Sequence, residues 1–175
     1  AFSMFNYLSD SSMTGVDEPA FLINQLWMNI GFRNRFISRY TDLLNTSFHP
    51  LNMTGKVANA SSEIAGEIET HFNRWGRTTS EAQWQSTIDS SLTAYLIARH
   101  NNSFIHLNSF FGLSGTGILT VKNNDPSGTG GHLKVGTVEI TSSTDGVQNP
   151  AEWSGTYFRN LPVTVEAIPE EGYEF

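Results

Sequence analysis

Phe110-Phe111-Gly112-Leu113-Ser114-Gly115-Thr116-Gly117-Ile118-Leu119-Thr120-Val121 is where the chain changes texture. Before Gly112 the apolar residues recur at spacings of three and four, the period of one helical face. After Leu113 that spacing disappears, and Gly, Thr, Ser and Val dominate. Gly112 is suited to end a helix, because glycine adopts the left-handed conformation that closes one without steric cost. Residues 118–121 then read as a first strand. The expected class is therefore α+β: a bundle-like helical segment over residues 1–113, then a small antiparallel β module over residues 114–175.

Working back from this boundary, Phe104, Leu107, Phe110 and Phe111 form the last helical stripe, with Asn101 and Asn102 read as a turn before it. Ser80-Glu81-Ala82-Gln83 fits a capping box, in which the Ser and Gln side chains satisfy amide donors that a helix start leaves free. Trp84, Ile88, Leu92, Tyr95 and Leu96 follow it. Upstream, a helix from about Leu51 to Trp75 carries the stripe Val57, Ile64, Ile68, Phe72 and Trp75, and Gly76 stops it. Pro50 disfavours helical geometry at His49, so residues 45–50 read as a break. Phe32, Phe36, Ile37, Tyr40, Leu43 and Leu44 stripe an earlier helix. Gly31 separates it from a first one, opened by Asp17-Glu18-Pro19 and striped by Leu22, Ile23, Leu26, Trp27 and Ile30. Residues 1–16 show no sustained period. Working forward, residues 133–141, 155–158, 161–167 and 173–175 read as strands, and residues 123–131 and 142–150 as loops.

Composition narrows the function classes. The 175 residues include 12 Phe and 4 Trp, enough large apolar surface for a packed core. A net charge of −7 with only 15% charged residues argues against binding a nucleic-acid backbone, which needs clustered Lys and Arg. The absence of cysteine excludes a disulfide, a cysteine-ligated zinc and a thiol nucleophile. No apolar run approaches the ~20 residues that span a bilayer. The start lacks the basic and apolar regions of a signal peptide. A chain that opens on Ala1 and stops at Phe175 on a strand-like segment is expected to be a piece of a larger parent.

No group of residues declares a catalytic site. His49, His71, His100, His106 and His132 include no pair at the four-residue spacing that places two imidazoles on one helical face. Glu63 and Glu67 do stand four apart, and an independent enzyme using them would need a concave pocket that separates their pKa values. A solvated helix face is the simpler reading. Arg33, Arg35 and Arg39 form a basic cluster that could hold an anion or pair with Asp42 at helical spacing. Gly128-Thr129-Gly130-Gly131 is not a phosphate loop, since no Lys-Ser/Thr and no helix follow it. Four Asn-x-Ser/Thr matches, at Asn45, Asn52, Asn59 and Asn101, are what a chain rich in these residues yields by chance.

Phe32-Arg33-Asn34-Arg35-Phe36-Ile37-Ser38-Arg39-Tyr40-Thr41-Asp42-Leu43-Leu44-Asn45-Thr46-Ser47-Phe48 resembles the late helical region of the CotH-type, or spore-coat-protein-H, kinase family. So do His71-Phe72-Asn73-Arg74-Trp75-Gly76, Trp84 after it, and the closing Phe110-Phe111-Gly112-Leu113, over about residues 17–113. In the β half, Gly136-Thr137-Val138, Trp153 to Phe158, Leu161 to Pro169 and Glu171 to Phe175 resemble a bacterial surface repeat of the internalin-B type. The family implies an atypical kinase that transfers phosphate from ATP, with magnesium, to protein hydroxyls. Its catalytic Lys and Asp positions lie upstream of the part matched here, so the resemblance carries no catalytic, cofactor-binding or metal residue onto a numbered position. It implies a non-catalytic helical scaffold and a β spacer or adhesion module from an extracytoplasmic bacterial protein. Its partners would be the rest of the parent chain, surface or coat proteins, or a second copy through exposed helical surface. The alternative is a structural or binding surface protein with a degenerate kinase region.

Overall fold

A computed structural model of the protein describes residues 3–9, 18–125 and 130–174. The helices are α1 (Met4–Leu8), α2 (Glu18–Met28), α3 (Ile30–Asn45), α4 (Pro50–Arg74), α5 (Glu81–Thr87) and α6 (Thr93–Phe111), with a π-helical segment, Ile88–Leu92, joining the last two. The strands are β1 (Thr116–Lys122), β2 (Gly131–Val135), β3 (Val138–Ile140), β4 (Glu152–Phe158) and β5 (Val165–Pro169). Helices followed by small antiparallel sheets is the α+β order expected. Gly112 closes α6 at φ +62°, as its position suggested.

The aromatic residues build the helical core. Phe5, on α1, has its ring centroid 5.6–6.2 Å from those of Trp27, Phe36, Tyr40, Phe110 and Phe111. Five residues are too few for a helix to persist alone, so this packing holds α1 in place. The Asn24 amide adds to it by donating to the Leu8 and Ala20 carbonyls. Such a helix has no period to read, and the rest of the featureless 1–16 stretch lies outside the described residues apart from Ser3 and Ser9. The break before α3 falls at Asn29, whose side chain caps the helix by accepting from the Phe32 amide, and Gly31 lies inside it.

Other expectations change as well, among them the strand over 161–167, which begins only at Val165 and runs to Pro169. Of the α2 stripe, Trp27 is buried and Ile23 half-buried, whereas Leu22, Leu26 and Ile30 are exposed. Asn101 and Asn102 make no turn, because α6 runs straight through them to bury Ser103 and Leu107. Tertiary packing there outweighs the weak helix preference of Asn. Residues 173 and 174 form no strand, and Phe175 lies outside the described residues. The capping box at Ser80 and Gln83 is present in both of its hydrogen bonds.

In the β half, β1 pairs antiparallel with β4 from Thr116↔Phe158 to Lys122↔Glu152. A second sheet has the order β3-β2-β5, and Val135↔Val138 brackets the two-residue turn Gly136-Thr137. Val121, Val135, Val138, Ile140, Val147, Trp153 and Tyr157, drawn from both sheets and the loop between β3 and β4, form the core of this half. Phe158 belongs instead to the helical core, 3% exposed, with its ring 6.0 Å from that of Phe104. Strand β4 thus presents Trp153 and Tyr157 to one core and Phe158 to the other.

Candidate functional site

The last turn of α3 holds the densest polar burial of the described residues. Thr41, Asp42, Asn45 and Thr46 are 1%, 1%, 8% and 4% exposed. Buried polar groups must find partners, because an unpaired one costs about 1–3 kcal/mol. Two partners are local: the Thr41 and Thr46 hydroxyls donate to the carbonyls of Ile37 and Asp42, at 2.8 and 2.7 Å. The rest come from the β module.

Asp42 is the centre of this seam. One carboxylate oxygen accepts from the Thr137 amide at 2.8 Å and the Thr137 hydroxyl at 2.7 Å. The other accepts from the Tyr157 hydroxyl at 3.0 Å. Burial, and then the adjacent Asp42 charge, push the Tyr157 phenol well above its ordinary range, so it stays protonated and donating. Asn45 serves the neighbouring strand. Its amide accepts from the Thr156 N–H and donates to the Thr156 carbonyl, both at 2.8 Å. The side chain thereby stands in for a peptide group of an adjoining strand and occupies part of the β4 edge.

Two glycines let the halves close. Gly136 has φ +60°, suiting the first central position of a two-residue hairpin turn, and a Cβ there would lie 2.7 Å from the Asp42 carboxylate. Gly146 has φ +81°, and a Cβ there would lie 2.4 Å from the Thr46 carbonyl oxygen. The seam therefore depends on a missing side chain at both points.

The sequence-stated candidates separate around this seam. Arg39 donates to the Thr137 hydroxyl rather than pairing with Asp42. Among the described residues the ion pairs are Lys56–Asp145, Lys122–Glu152 and the contacts of His132 with Glu139 and Glu170, so none involves Arg33, Arg35 or Arg39. Asp42 does not pair with the cluster because donors from the β module already occupy both of its oxygens. Glu63 and Glu67 are both exposed on α4. His71 is exposed at the end of α4, and burial followed by Arg99 lowers the pKa of His106. His49 and His100, far apart in sequence, are brought together with ring centroids 5.5 Å apart. No local spacing encodes that pair.

Among the described residues, no group of three or more His, Asp or Glu side chains could hold a metal ion. Gly131 opens strand β2 rather than a helix, and Gly128 and Thr129 lie outside the described residues. Asp42, the one buried carboxylate among the described residues, accepts at both of its oxygens. Sequence reading missed the seam because Thr41, Asp42, Asn45 and Thr46 carry no period of their own. The available signal was their position at the end of a helix beside a fully apolar stripe, with a glycine-containing β-turn downstream.

No helix of the described residues is long and apolar enough to cross a membrane. No curated protein and no solved structure gives a significant match to the chain. A family model described as CotH kinase protein matches residues 8–102, which takes in α2 to α5 and about half of α6. The match covers more than half of the 175 residues, and the chain belongs to the CotH kinase protein family.

Proposed function

We propose that this chain is the helical C-terminal part of a CotH-like atypical kinase, a scaffold whose catalytic groups lie elsewhere in a longer protein. The observation that carries the reading is the engagement of Asp42. A buried carboxylate with both oxygens already accepting from another part of the fold serves as an anchor. The β module is then a spacer or adhesion unit of the internalin-B-repeat kind, fixed to the helices through that anchor. The parent would transfer phosphate from ATP to protein hydroxyls in an extracytoplasmic, bacterial setting, and its remaining residues would supply the lysine and acidic groups that phosphoryl transfer needs.

A second reading, a structural or binding surface protein, has its own support. Ile64, Trp75, Tyr95, Ile97 and Ile105 are 45–66% exposed on α4, α6 and the turn after α4, and apolar surface of this kind marks interaction faces. Calorimetry of ATP with magnesium, on this chain and on the longer parent, separates the readings. Binding by the parent alone supports the scaffold. Binding by this chain overturns it. Binding by neither favours the structural protein.

A further inference from the structure

We propose that the corner between α3 and α4 is a pH-sensitive joint, in which protonation of His49 releases the first turn of α4 from α6 and the β module. His49 is the residue that caps α4. Its Nδ1 accepts a long hydrogen bond from the Leu51 amide, at 3.4 Å, and its carbonyl accepts from Met53 at 3.0 Å. A nitrogen that accepts carries no proton, so the cap requires neutral imidazole. Protonation places a second N–H against the Leu51 N–H and removes the cap.

Two further features of the corner oppose a charge on His49. It sits at the positive end of a 25-residue helix, where cations are disfavoured. It also faces His100 on α6, whose Nε2 lies 3.1 Å from the Leu44 carbonyl oxygen. That oxygen can only accept, so the His100 Nε2 carries a hydrogen. Burial, and then His100, lower the His49 pKa below the ordinary imidazole range.

The other charged groups around the corner are already committed. Asp42, on α3, is bonded to Thr137 and Tyr157. Lys56, on α4, is held by Asp145 at 2.5 Å. Arg99 precedes His100 on α6 and adds positive charge. Glu152 lines the same small cavity as His49, Asn45 and Trp153, but Lys122 holds it at 3.1 Å. No free carboxylate among these groups stands ready to compensate a charged His49.

The consequence is mechanical. At this corner α4 leaves the seam, and its next ties are Asn52, which reaches the Ser47 carbonyl and Asp145, and the Lys56–Asp145 pair, whose side chains are both about half exposed. Exposed pairs of that kind contribute little. Losing the cap therefore frees the base of the α4 arm while Asp42 keeps α3 and the β module together.

The chain lacks cysteine, so Ala60→Cys on α4 and Ser143→Cys on the 142–150 loop accept a nitroxide pair without background. Pulsed dipolar spectroscopy on that pair, from about pH 8 to about pH 5, is run beside NMR titration of the His49 ring. The expected result is one distance at high pH and a longer, broader distribution at low pH. Its midpoint should follow the His49 titration, with about fivefold faster local opening at the Leu51 amide by hydrogen exchange. His49→Asn retains a favoured capping acceptor and cannot titrate, so its distances should not change with pH. Three results overturn the proposal: His49 staying neutral to the lowest pH, His49 titrating with unchanged distances, or His49→Asn showing the same pH response.

Discussion

The last turn of α3 and the outer faces of α4 and α6 treat side-chain chemistry in opposite ways. The first buries Thr41, Asp42, Asn45 and Thr46 beneath a β module, and the second leaves Ile64, Trp75, Tyr95, Ile97 and Ile105 in solvent. Polarity alone did not decide burial. The presence of a complementary surface did. At the seam each polar atom meets a donor or acceptor at 2.7–3.0 Å. Hydrogen bonds are directional, so this set fixes one placement of β4 and the Gly136-Thr137 turn against α3, which an apolar patch would leave free to slide. The outer faces carry no such pattern, and α5 and α6 are the principal neighbours of α4. Its 25 residues bury only Ser61 and Ile68.

Breaking the seam should therefore cost far more than altering the arm. Asp42→Ala leaves the Thr137 amide and hydroxyl and the Tyr157 hydroxyl without their acceptor. It should destabilise the protein by about 3–5 kcal/mol in urea unfolding. Gly146→Ala combines a left-handed backbone with a contact on the Thr46 carbonyl, and should cost about 3 kcal/mol by the same assay.

Acidification gives a smaller effect located at the junction of the two regions. The folded pKa of His49 is depressed, so the unfolded chain binds more protons in this range. The His49 contribution is present above the ordinary imidazole pKa and is lost as pH falls through that value toward the folded one. A thermal-melt series across that range should show the decline in the wild type and less of it in His49→Asn. Ile64→Ser, on the arm, should change stability by no more than about 0.5 kcal/mol. Sedimentation at high concentration should show any self-association of the wild type reduced by that substitution.

Local signals in the sequence were sufficient for one class of feature. Gly112, the Ser80–Gln83 box and the α3 stripe all depend on residues within a few positions of each other, and the structure keeps them. What depended on distant partners was lost. The Asp42 acceptors face donors about a hundred positions away, at Thr137 and Tyr157, so helical spacing pointed to Arg39 instead. The same limit hid the His49–His100 pair. Hydrophobic spacing also overstated the arm, because Ile64 and Trp75 fit a period but meet no second layer. Among the candidate site residues, the composition of the helices gave no catalytic group, and the family match places the chain without adding one.

The Asp42 seam makes α3 and the β module one cooperative unit. Hydrogen exchange along a urea series tests it most directly, following the amides of Ile37 and Thr41 on α3 beside those of Val135 and Tyr157 on β2 and β4. All four should lose protection along one shared isotherm, and Asp42→Ala should lower all four together. Protection persisting at Val135 and Tyr157 after it is lost at Ile37 and Thr41, or an Asp42→Ala effect confined to α3, would contradict it.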